Sequence, residues 1–87
     1  MEQIIALGGG GFSMEPDNLA LDQYILDQTP AEKPNVCFLG QASGESQDYI
    51  IRFYRAFTSL GAHPHHLSLF QPHTADIENF ILSQDII

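Results

Sequence analysis

Cationic side chains are scarce in this sequence: Lys33, Arg52 and Arg55 face 11 acidic residues, giving a formal net charge of −8. So few cations cannot neutralise a phosphate backbone or dock on an anionic membrane surface, which argues against nucleic-acid and membrane partners. Long hydrophobic runs are also missing. The apolar stretches are a few residues each, far short of the ~20 that cross a bilayer. The opening Met1-Glu2-Gln3 lacks the basic start of a secretory leader. Cysteine occurs once, as Cys37, so no intramolecular disulfide can form and nothing points to an oxidising compartment. These shortages lead us to expect a cytoplasmic chain.

What is present suits one small folded domain. Hydrophobic residues make up 44% of the 87, enough for a single modest core. The pattern alternates along the chain. Ile4-Ile5-Ala6-Leu7 is an apolar run closed by Gly8-Gly9-Gly10-Gly11, the signature of a strand buried on both faces and then a tight loop. After Pro16 and Asp17, helical spacing sets Leu21, Tyr24 and Ile25 inward and Asp22, Gln23 and Asp27 outward. A polar connection with Pro30 and Pro34 leads to a second buried strand, Asn35-Val36-Cys37-Phe38-Leu39, and a loop opening at Gly40.

The strongest helix follows. Ser46 is placed to cap it, and Asp48 lies in its first turn, where the helix dipole favours negative charge. Ile50, Phe53, Tyr54, Phe57 and Leu60 form one apolar stripe, and Gly61 supplies the stop. Residues 63–70 read as a third strand. Pro72 and Thr74 introduce a short helix with Ile77, Phe80 and Ile81 inward, and Asp85-Ile86-Ile87 begins a fourth strand.

Strand–helix alternation of this kind specifies an α/β fold, a parallel sheet with flanking helices in doubly wound, flavodoxin-like order. The fourth strand is only begun, which leaves an apolar sheet edge that folded proteins avoid. We therefore read residues 1–87 as one α/β domain that is the N-terminal portion of a larger one truncated after Ile87. A short edge strand at a natural terminus is the alternative.

Ligands of open α/β sheets bind beyond the carboxyl ends of the strands, and two loops here have suitable composition. The glycines before Phe12 and Ser13 let the backbone turn sharply and aim amides at an anion or oxyanion. They do not make a dinucleotide fingerprint, because Ser13 stands where the third glycine belongs and the helix begins too late. A turn that merely joins strand to helix is the plain alternative. The second loop, Gly40-Gln41-Ala42-Ser43-Gly44-Glu45-Ser46, could lie beside the first and offer hydroxyls to a ligand, although Ser43 and Ser46 read first as turn and cap residues. Neither Ser13 nor Ser43 sits in a GxSxG elbow.

His63, His65, His66 and His73 suggest a metal, with His63 and His65 on one face of an extended strand. Pro64 interrupts them, and no cysteine or carboxylate stands at ligand spacing. Cys37, inside an apolar strand, reads as a core residue. The candidate site is thus pocket-lining backbone at Gly9, Gly10 and Gly11, together with Ser43. We assign no catalytic residue, no metal and no cofactor.

Three stretches carry a resemblance: Gly8-Gly9-Gly10-Gly11-Phe12 after an apolar strand, Val36-Cys37-Phe38-Leu39-Gly40, and Ala42-Ser43-Gly44-Glu45-Ser46 leading into Tyr49-Ile50-Ile51-Arg52-Phe53-Tyr54. Together they resemble the start of the peptidase E-like serine peptidases, which include aspartyl dipeptidase and cyanophycinase and share a fold related to class I glutamine amidotransferases. The resemblance implies a doubly wound hydrolase with a serine nucleophile at a strand-to-helix elbow and a histidine later in the chain. Both would lie beyond Ile87, so none of the four histidines here carries over. It also implies a peptide or small-molecule substrate for the full-length parent, with this segment inactive alone.

Two other readings stand beside that one. The chain could be a non-enzymatic α/β module holding a small anion at the loop from Gly8 to Ser13. It could instead assemble as a homo-oligomer through the apolar sheet edge.

Overall fold

The computed structural model describes residues 2–72 and 75–87; His73 and Thr74, singled out above, lie outside them. The elements run α1 (Ala20–Leu26), β1 (Asn35–Phe38), a 3₁₀ turn (Gln41–Ser43), α2 (Gln47–Ser59), β2 (His63–His66) and α3 (Ile77–Leu82). This is a small α/β structure around a two-stranded parallel sheet in which Asn35 pairs with His63 and Phe38 with His66.

β1 is central. Its far side takes an isolated parallel bridge from Ile86 to Val36, with the Cys37 amide donating to the Ile86 carbonyl at 2.9 Å and the Asp85 amide to Asn35 O at 2.8 Å. Pro64, which has no N–H to give a ladder, is tolerated because β2 has a described neighbour on one side only.

α2 forms as its stripe predicts. Phe53, Ala56 and Phe57 are buried, and with Leu26, Val36 and Ala62 they make the core. Gly61 at φ 83° ends the helix in a left-handed conformation that costs a glycine nothing. The Gly61 amide reaches Thr58 O at 3.1 Å and the Ala62 amide reaches Phe57 O at 3.0 Å, the paired bonds of a Schellman motif. Ser46 holds the N-cap position, as expected, but its side chain makes no capping hydrogen bond.

Four expectations are corrected. Residues 4–7 form no strand, and Ile4 is 97% exposed. The third strand closes at His66 and does not run to Phe70, and the fourth is a single bridge at Ile86. α1 buries Asp22 and leaves Leu21 and Tyr24 exposed, against expectation, while Gln23 and Asp27 face outward and Ile25 is half-buried as expected. Among the described residues, no strand at 4–7 is present to cover Leu21 and Tyr24. α3 is capped by Asp76, whose Oδ1 accepts from the Asn79 amide at 3.1 Å.

Candidate functional site

Four aromatic rings fix the carboxyl end of β1. Phe12 meets Phe38, Phe53 and Phe57 edge-on at 5.7–5.9 Å, and Phe38 stacks on Phe53 at 5.0 Å. Edge-to-face and offset pairs of this kind add to the burial itself. The exit of the glycine loop is thereby anchored against β1 and α2. Arg52, exposed on α2, adds a hydrogen bond from Nη1 to Ser13 O at 3.2 Å.

Beyond β1, Gly40 opens the 3₁₀ turn, and Gly44 and Glu45 lead to the cap of α2. Beyond β2 the chain continues through Leu67, Ser68, Leu69, Phe70 and Gln71. Between these two loops lies a cleft of ≈ 380 Å³, walled by Phe38, Ile50, Leu67 and Phe70 with Glu45, Gln47 and Gln71 among its polar groups. Beside it Tyr54 Oη and His66 Nδ1 lie 2.7 Å apart, tying α2 to the end of β2.

Glu45 joins the two loops. Ser68 Oγ donates to its Oε1 at 2.6 Å. Its Oε2 accepts from Gln41 Nε2 at 2.7 Å, the Leu69 amide at 2.7 Å and the Phe70 amide at 3.3 Å. The network spreads outward: Gln41 Nε2 also reaches Leu67 O at 3.0 Å, and the Gln71 amide donates to Ser68 Oγ at 3.0 Å. Desolvation works against the charge on Glu45, but the bonds from Ser68, Leu69, Gln41 and Phe70 outweigh it and hold the carboxyl down at about 2. Glu45 also sits at φ 57°, a left-handed conformation that strains a side-chain-bearing residue. The sequence reading passed over this residue. The available signal was a lone charge beside Gly44 in an otherwise neutral loop.

Gly9, Gly10, Gly11 and Ser43 are not among the residues that line this cleft. Gly9, Gly10 and Gly11 adopt φ of 125°, 82° and 81°, yet the cleft is lined from the second loop by Gly40, Gly44 and Glu45. Ser43 Oγ turns back to donate to Gly40 O at 2.9 Å, a turn role. Behind the glycines lies Asp22, 3% exposed, whose Oδ2 has no hydrogen-bond partner among the described residues. A Cβ on Gly11 would sit 3.5 Å from Asp22 Oδ1. Burial pushes the Asp22 carboxyl up, against the pull of the Phe12 amide. A buried carboxylate so close weighs against an anion at this loop, and α1 begins only at Ala20, too late to aim its N-terminus there.

The His63 and His65 rings lie 4.6 Å apart. Burial lowers the proton affinity of His65, and the neighbouring His63 charge adds to that. Among the described residues, no group of three or more His, Cys, Asp or Glu is arranged to hold a metal. Cys37 is 2% exposed, and burial pushes its thiol up, which keeps it protonated and unreactive. Among the described residues, no helix is long and apolar enough to cross a membrane.

A parallel α/β scaffold with a mixed polar and apolar cleft at its strand ends is an architecture that hosts many hydrolases. Comparison makes the assignment specific: residues 4–87 match Peptidase family S51, and the chain belongs to that family. It is 61% identical over its whole length to the uncharacterised peptidase YgaJ of Bacillus subtilis (strain 168), and it spans 38% of that relative's length. No solved structure matches.

Proposed function

We propose that this chain is the scaffold segment of a serine-type peptidase that cleaves peptide bonds by acyl transfer. The natural polypeptide then continues beyond Ile87 and carries the nucleophile and base there. The observation that carries this reading is the family match across residues 4–87, together with a relative of which this chain spans 38%. In that chemistry a serine Oγ attacks the peptide carbonyl, a histidine takes its proton, and backbone amides stabilise the oxyanion.

The segment's own part is structural. It supplies the cleft at the ends of β1 and β2 and, from the Gly9, Gly10 and Gly11 backbone and the turn at Ser43, the adjoining wall. In the longer chain the sheet takes the doubly wound order, and the exposed Ile4 and Leu7 become covered.

The test compares the 87-residue chain with the longer natural product against a panel of short peptides and a fluorophosphonate that labels active serines. We expect turnover and a labelled serine beyond Ile87 in the longer protein, and neither in the segment. Turnover by the segment that depends on one of its own residues overturns the proposal. So does a longer chain inert to both reagents.

A further inference from the structure

Glu45 spends every hydrogen bond described for it inside the protein. Its two oxygens take four donors, three of which, Ser68 Oγ and the Leu69 and Phe70 amides, come from the loop after β2. The loop is anchored at its start by Leu67, which is 3% exposed, but Leu69 and Phe70 beyond it are 49% and 63% exposed, so apolar burial contributes little at those two residues. The backbone of Glu45 is nonetheless held in a left-handed conformation, next to a glycine already in one. A strained residue persists only where its surroundings impose it, and such positions cluster where geometry matters for function. Glycine at 45 would relieve the strain; what glycine cannot supply is the carboxylate.

We propose that Glu45 is a positioning residue that staples the loop after β2 to the loop after β1, and so sets the width of the cleft between Phe38, Ile50 and Phe70. It lines the cleft, but its oxygens are engaged by Gln41, Ser68, Leu69 and Phe70, so it acts by positioning the Leu69 and Phe70 backbone. Peptide as the occupant of the cleft rests on the function proposed above; the staple itself does not. A residue with this role changes how well substrate is held and leaves the chemical step alone, so its loss raises KM and spares kcat.

The experiment uses the longer natural protein with Glu45→Gln, Glu45→Gly and Ser68→Ala. The amide variant keeps the shape but offers one acceptor oxygen in place of two. The glycine variant removes strain and staple together. The serine variant removes one donor and leaves the carboxylate in place. Hydrogen exchange at Leu69 and Phe70 is read beside exchange at the core amides of α2, and kinetics are measured on the peptide the wild type cleaves best.

We expect Leu69 and Phe70 to exchange about ten-fold faster in the two Glu45 variants, with α2 unchanged, and KM to rise by a similar factor at constant kcat. Unchanged exchange at these two amides overturns the staple. If the Glu45 variants unfold, Ser68→Ala decides: local loosening at 69 and 70 supports the staple, and unchanged protection overturns it. Should kcat fall with KM unchanged, Glu45 acts in the chemistry and the positioning role is wrong. A wild type that cleaves no peptide defeats the proposed function, while the exchange data still judge the staple.

Discussion

Ser68 Oγ donates to Glu45 Oε1 at 2.6 Å, joining two loops that are 23 residues apart in the chain. The bond has a pH signature. The Glu45 carboxyl lies at about 2 when folded, against an ordinary 4.5, so the folded state favours its ionised form. That contribution is complete above pH 4.5 and is lost as pH falls toward about 2. Thermal unfolding of wild type and Glu45→Gln should therefore differ at pH 6 and converge near pH 2. A gap that is constant with pH assigns the effect to something other than ionisation.

Asp22 carries the opposite sign. Burial raises its folded pKa above the ordinary 3.8, so whatever stability it contributes is present below that value and lost as pH rises through the folded pKa. At neutral pH the choice is a buried charge or an uptake of a proton, and Asp22→Asn avoids both while keeping an acceptor for the Phe12 amide. We expect the variant to gain on the order of 1 kcal/mol at pH 7, with little gain at pH 3. Destabilisation at pH 7 in a urea titration would mean that the charge itself is required.

Phe53 touches Phe12, Phe38, Tyr54 and Phe57 and is 3% exposed. Phe53→Ala should cost about 3–5 kcal/mol, enough to unfold a domain of this size in mild urea. Ile51, two residues earlier on the same helix, is 53% exposed, and Ile51→Ala should stay within about 0.5 kcal/mol. Circular dichroism through a urea series measures both, and comparable losses at the two positions would contradict the burial pattern of α2.

Gly61 isolates a backbone effect. A Cβ there meets nothing within 4 Å, but the residue sits at φ +83°. Gly61→Ala should therefore cost about 1 kcal/mol from conformation alone, which lowers Tm by roughly 4–8 °C in a domain this small. An unchanged Tm would indicate that the chain reversal after α2 relaxes away from the left-handed conformation.

Much of this molecule was legible before folding was considered, and the residues explain why. Ile50, Phe53 and Phe57 repeat at the helical period, Gly61 stands where a left-handed stop is needed, and Val36 and Cys37 form a run too apolar to leave in water. Each of these is a local message, carried by neighbours in sequence, and the structure honours it. The family resemblance was legible for a similar reason, since its marks are short contiguous motifs.

Tertiary structure decided the rest. Whether Ile4 to Leu7 joins a sheet depends on which backbone edge is free, and Ile86 lies on the edge of β1 opposite β2. The face that α1 buries depends on what packs against it, so Asp22 went in and Leu21 stayed out. Glu45 became the link between two loops because folding brought Ser68, Leu69 and Phe70 to it from a different strand end. Local periodicity encodes which surfaces want to leave water, whereas a hydrogen-bonded carboxylate needs donors that only the assembled sheet delivers.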